Sequence, residues 1–284
     1  MKNFNWIKFQ SIFKLKNVKK NLLLIVLLFN TTCVLFAQED YKIAGKEFDK
    51  ENYEKAISYY TKSIEKKEEL AKSYNYRGMA YLYSDKLPEA QKDLEYSFQL
   101  DPSDYRIYTS LARYCYLTEQ MGSALEYYNK SLERKPDNYD LYSERAGVKA
   151  ILEMYNEAIA DADISVQHLS NDYNAYLNRG YVYLRMGNYP ESINDLTTSL
   201  KMKKSQKGFG NRGTAYALSK KYDLALKDFD KSLEYNPTDP FVLYQKGEVL
   251  LSLGQRDKGC DCLLKSKQFG NNVIDDVIEK EKCK

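Results

Sequence analysis

Asn178-Arg179-Gly180-Tyr181-Val182-Tyr183 returns, lightly altered, as Tyr76-Arg77-Gly78-Met79-Ala80-Tyr81 and as Asn211-Arg212-Gly213-Thr214-Ala215-Tyr216. Twelve residues after each glycine stands another small residue, Ser192, Ala90 or Ala225. These belong to a longer series: Ala56, Ala90, Ala124, Ala158, Ser192, Ala225 and Gly259, in steps of 34 except for the 33 between Ser192 and Ala225. Twelve before each member lies Ala44, Gly78, Ala112, Ala146, Gly180, Gly213 or Gly247. Seven after each lies a serine: Ser63, Ser97, Ser131, Ser165, Ser199, Ser232 and Ser266.

A small residue on each of two helices lets their axes approach closely, so fixed smallness at fixed spacing predicts one helix pair built seven times. The turn between the two small sites is seen in Met186-Gly187-Asn188-Tyr189, where glycine supports a left-handed helix end. Large apolar residues repeat in step. Tyr74, Tyr108, Tyr142, Tyr176, Phe209 and Leu243 precede the first small residue by four; Tyr60, Leu94, Tyr128, Leu196, Phe229 and Leu263 follow the second by four. Spacings of three, four and seven place them on one helix face. Pro102, Pro136 and Pro237 follow the second small residue by twelve and end the second helix there.

This pattern resembles the tetratricopeptide repeat (TPR) family, whose period is 34 and whose signature runs aromatic, Leu-like, Gly, Tyr, Ala, Phe, Ala, Pro. The resemblance covers roughly residues 38–273 and implies an all-α, right-handed TPR solenoid of about seven antiparallel helix pairs. The repeats are expected at about 38–70, 71–104, 105–138, 139–172, 173–205, 206–239 and 240–273, followed by a C-terminal capping helix at 274–284. In that last segment Val273, Ile274, Val277 and Ile278 form the expected apolar stripe. Serine replaces the usual third small alanine throughout. Glu47 in repeat one, and Lys149 with Ala162 in repeat four, depart from the pattern, and those repeats are expected to pack less well.

Residues 1–37 hold six lysines and no acid, then an apolar run from Leu22 to Phe29 and a second short one from Cys33 to Ala37. Basic start, apolar run and a small residue at a cut site describe a secretory signal with cleavage after Ala37. A lipoprotein anchor at Cys33 is disfavoured, because Asn30-Thr31-Thr32-Cys33 lacks the usual leucine and small residue. The expected location is therefore periplasmic or secreted, with membrane contact only through the cleaved segment. The chain's formal +3, less the six lysines of this segment, leaves −3 on the body. A mildly acidic body argues against a nucleic-acid partner. The single histidine, His168, argues against His-based catalysis or a His-rich metal site. Asp161 and Asp163 are read as a solvated helix face. The expectation is a protein that is not an enzyme and has no cofactor, metal or small-molecule substrate.

Cys115 falls on the core face of repeat three. Cys260 lies ten residues before Gly270 and Cys283 thirteen after it. At about 1.5 Å rise per residue their offset along antiparallel helices is roughly 4–5 Å, compatible with a disulfide. Cys262, about 200° round the same helix, is the alternative partner of Cys283. The Cys260–Cys283 pairing is favoured, and this ending resembles those of exported bacterial TPR proteins.

In the TPR family the first helix of each pair lines a concave binding surface. The resemblance places Asn75, Met79 and Tyr83 of repeat two, Arg106, Arg113 and Tyr116 of repeat three, and Asn178, Tyr181 and Arg185 of repeat five there. Repeat four contributes only Ser143, Gly147 and Ala150. Arg and Tyr are enriched at binding hot spots, so the expected ligand is a protein or peptide presenting an extended segment or helix with acidic and apolar groups. The Lys and Asn pairs of carboxylate-clamp TPRs are missing at Tyr41/Gly45 and Asn75/Met79. The functional expectation is an interaction scaffold in the periplasm or envelope. The alternative is the extracytoplasmic sensing arm of a signalling system that acts through a separate membrane partner.

Overall fold

The computed structural model describes residues 40–67 and 69–283. The expected signal segment, its cleavage after Ala37 and Cys33 lie outside them. The described residues are all-α: helix α1 at 40–49, then α2 (Tyr53–Glu65), α3 (Leu70–Tyr83), α4 (Leu87–Leu100), α5 (Tyr105–Leu117), α6 (Met121–Arg134), α7 (Tyr139–Ile151), α8 (Tyr155–His168), α9 (Tyr173–Met186), α10 (Tyr189–Met202), α11 (Gln206–Leu218), α12 (Tyr222–Tyr235), α13 (Pro240–Ser252), α14 (Arg256–Gln268) and α15 (Asp275–Lys280). The odd-numbered helices up to α13 are the first helices of the pairs. The helices gather into two compact units, one ending at Tyr114 and one beginning at Cys115.

Local chemistry sets the ends. Asp101, Lys135 and Asn236 close α4, α6 and α12 with φ of −145°, −138° and −137°. Each precedes a proline, whose ring pushes its neighbour out of the helical region. Four first helices carry N-caps among the described residues: the side chains of Asp104, Asp172, Ser205 and Asp239 accept from the amides of Arg106, Asn174, Gly208, and both Phe241 and Val242 respectively. The tight turn inside each pair uses a left-handed residue five before the second small site. Gly187 (φ +81°) and Gly254 (φ +72°) suit it, but Glu51, Asp85, Glu119, Glu153 and Lys220 adopt it too, with φ between 59° and 62°. Five of these seven turns therefore carry side chains where glycine is unstrained.

The small sites do what their spacing implies. A Cβ on Gly180 would lie 2.8 Å from Leu196, on Gly213 2.7 Å from Phe229, and on Gly78 or Gly247 3.0 Å from Leu94 or Leu263. The first helix thus touches the large residue of its partner helix with no room for a methyl group. The serine row ties the pair again. Ser97, Ser199, Ser232 and Ser266 donate to the carbonyls of Ala71, Tyr173, Gln206 and Pro240 at 2.6–3.1 Å, each in the first turn of the preceding helix.

Repeats one and four bury a core despite the departing residues. Ala146, Ala150, Ala158 and Ala162 are fully buried together with Val182, and Lys149 reaches Asp161 at 2.7 Å. In repeat one, Ala44, Ala56, Ile57 and Tyr60 form a buried cluster, while Glu47 pairs with Lys50 at 2.8 Å. The C-terminal stripe is narrower than expected, which corrects that reading: Ile274 is buried, but Val273 is 90% exposed and lies outside α15. Cys115 and Cys262 are buried free thiols, and a disulfide joins Cys260 to Cys283 with Cα atoms 5.1 Å apart. Arg256 donates to the Glu281 carbonyl and Lys267 pairs with Asp275 at 2.6 Å, holding α15 against α14.

Candidate protein-binding face

A forked ion pair is rebuilt in four repeats. Arg77, Arg145, Arg179 and Arg212, each one residue before the first small site, grip Asp93, Asp161, Asp195 and Asp228 on the second helix through both carboxylate oxygens at 2.6–3.0 Å. The third guanidinium arm reaches the preceding repeat's second helix, at Thr61, Asn129, Asp163 and Thr197, within 2.8–3.0 Å. Aromatic rings flank the cation, as Tyr176 and Tyr183 flank Arg179 at 5.9 and 6.0 Å. One side chain thereby joins two helices of its own repeat and a third from the repeat before. Hydrogen bonding to the aspartates, opposed by burial, holds the Arg179 and Arg212 cations above their ordinary pKa.

These pairs overturn the reading of Asp161 as part of a solvated face, while Asp163 is exposed as that reading has it. Asp161 is 4% exposed and bonded to Arg145 and Lys149, and Asp163 receives Arg179. A signal was present in the sequence. Where the arginine is absent, the aspartate is absent too: Ile43 with Tyr59, Leu111 with Tyr127, Lys246 with Cys262.

The expected binding residues divide between the two units. In the first, Asn75 and Met79 are each only 2% exposed, which corrects their assignment to an open groove. They belong to the interior. Tyr83 is exposed and packs on Tyr53 and Phe48, with ring centroids at 5.4 and 5.9 Å. Arg106 is held by Asp104 at 2.7 Å. Arg113 is half-buried on α5.

In the second unit, the first helices present a partly open face. Asn178 on α9 donates to Ser143 on α7 at 3.0 Å. Ser143 in turn donates to the Asp140 carbonyl at 2.8 Å. Arg185 donates to the Tyr181 hydroxyl at 3.1 Å, one helical turn away. Tyr116 is exposed, and burial of its hydroxyl end, with Tyr181 nearby, raises its pKa. Further along, Tyr244 donates to Glu248 at 2.6 Å; burial and that bond push its phenol up to about 12. Gly147 lies one turn beyond Ser143 on α7, and a Cβ built there would meet nothing within 4 Å. That separates it from the glycines fixed by packing. His168 is stacked on Tyr139 with ring centroids 3.8 Å apart.

The class defined by this architecture is a helical-repeat protein with an accessible first-helix face. Family profiles described as tetratricopeptide repeat match residues 77–139, 173–206 and 207–239, and the chain belongs to the tetratricopeptide-repeat family. Such proteins are protein-interaction scaffolds, typically non-catalytic. The chain is similar to Hsp70-Hsp90 organizing protein 2 of Arabidopsis thaliana, with 30% identity over 90 residues, 31% of this chain and 16% of the relative. It thus spans about a sixth of that relative's length. Among solved structures, a tetratricopeptide repeat protein from Parabacteroides merdae aligns over 86% of this chain and 96% of its own, with TM-score 0.66 and 18% identity. The Cut9 and Hcn1 assembly of the APC/C aligns over 86% of this chain and 46% of the compared chain, with TM-score 0.68 and 17% identity. At these identities the structural likeness concerns the fold.

Proposed function

We propose that the protein is a non-catalytic interaction scaffold of the periplasm or cell envelope, whose first-helix face on α7 and α9 receives an extended peptide or a helix. Gly147 carries this reading. A glycine inside a helix costs about 1 kcal/mol relative to alanine. Gly78, Gly180, Gly213 and Gly247 meet that cost because a methyl group would strike the partner helix; Gly147 has no such neighbour. Clearance for a ligand's backbone accounts for it. Beside that clearing stand Asn178, which bonds the buried Ser143, and Tyr181 with its bonded Arg185. This set offers hydrogen-bonding groups, an aromatic face and one cation to a ligand with acidic and apolar groups.

The basic and apolar pattern of residues 1–37 supports export. Hsp70 and Hsp90, which the Arabidopsis relative's name mentions, are not extended to this chain, because Tyr41/Gly45 and Asn75/Met79 supply no lysine for a carboxylate clamp. The test is capture of envelope proteins by the chain beginning at Gln38, beside its Gly147→Trp and Arg185→Ala variants. A partner retained by the parent and lost by both variants, with unchanged helicity, supports the reading. A partner that both variants retain contradicts it.

A further inference from the structure

The single 33-residue step in the repeat falls at one loop. Four-residue loops separate α4 from α5, α6 from α7, α8 from α9 and α12 from α13, but only Lys203-Lys204-Ser205 separates α10 from α11. This junction has no proline and no acid, and carries Lys201, Lys203, Lys204 and Lys207, all exposed. Lys201, Lys204 and Lys207 make no ion pair among the described residues. Lys203 lies 4.6 Å over the Tyr173 ring and donates to its hydroxyl at 3.1 Å.

The loop belongs to a continuous edge of the second unit, where second helices end and first helices begin. Lys203 ties it to the start of α9, while Gln206 donates to Asp239 at 2.5 Å before α13, and Phe209 stacks on Tyr235 at the end of α12, 6.3 Å apart. Large apolar side chains stand out along this edge: Met202 is 44% exposed, Tyr235 53% and Phe241 59%. Around this loop the neighbouring acids are capping or paired. Asp172 and Asp239 cap helices, and Glu234 binds Lys231 at 2.7 Å.

We infer that this edge docks on an anionic phospholipid surface. The lysines complement its charge, and the apolar groups suit the headgroup–acyl boundary. Met202, Tyr235 and Phe241 are spread over separate repeats and not gathered round a cleft. A fluid lipid surface accepts anchors so spaced, whereas a folded protein would need matching pockets. The contact is peripheral, and goes beyond the membrane contact expected of residues 1–37 alone.

Sedimentation of the chain beginning at Gln38, which contains both described units, tests this with phosphatidylglycerol–phosphatidylcholine vesicles and with phosphatidylcholine alone. Binding is expected only to the anionic vesicles, weakening as salt rises. It is expected to fall about tenfold or more in Lys201→Gln/Lys204→Gln/Lys207→Gln and to weaken in Phe241→Ser, with thermal melting unchanged in both. No binding by the parent chain, or binding that the triple variant preserves, overturns the inference. So does binding to soluble polyglutamate, lost in the triple variant, without binding to vesicles: the partner would then be an acidic polypeptide.

Discussion

Gly147 separates packing from function at the level of single residues. Gly147→Ala is expected to stabilise the chain by about 0.5–1 kcal/mol, read as a higher midpoint in denaturant. Gly180→Ala is expected to destabilise it, because the new methyl would lie 2.8 Å from Leu196. The turn residues give a second contrast. Lys220 has φ +60°, so Lys220→Gly is expected to gain about 1 kcal/mol, measured the same way; an unchanged midpoint would mean the turn carries no strain. The small-residue rows were legible in the sequence because steric exclusion leaves a mark at every repeat. The burial of Asn75 and Met79 was not legible, since a helical-face assignment says which side a residue is on and not what covers it.

Between elements, the arginine forks do work that apolar periodicity does not reveal. Arg179 bonds Asp195 in its own repeat and Asp163 in the one before, so it fixes both pairing and stacking. Arg179→Ala leaves Asp195, 3% exposed, without its cation, and is expected to cost about 2–3 kcal/mol. Arg179→Met/Asp195→Leu is expected to recover most of that loss, since a matched apolar pair needs no desolvated charge. A double variant as unstable as the single would show that the fork's geometry matters beyond charge compensation. The fork escaped the sequence reading because each half looks like an ordinary charged helix residue. Only the joint presence and joint absence of Arg and Asp across repeats exposes it.

Over the whole molecule, the seven-fold series of small residues made the order of helices legible, while the C-terminal end rests on a covalent bond. At the C-terminus, the Cys260–Cys283 bridge closes a 23-residue separation, and reduction is expected to lower stability by about 3 kcal/mol on the entropic account. Cys262 stays buried, and burial raises its thiol pKa. Thiol titration of the unreduced native chain beginning at Gln38 is therefore expected to show slow labelling of Cys115 and Cys262 only. Spacing had left Cys262 as a rival partner for Cys283, because helical rise fixes an offset more sharply than a direction. The central claim is that the accessible face of α7 and α9 binds protein. Its most direct test is parallel affinity capture from the envelope fraction with the parent chain and Gly147→Trp, bound proteins being identified by mass spectrometry. The account predicts a specific partner on the parent and its loss from the variant while circular dichroism stays the same. The same partner on both proteins would contradict it.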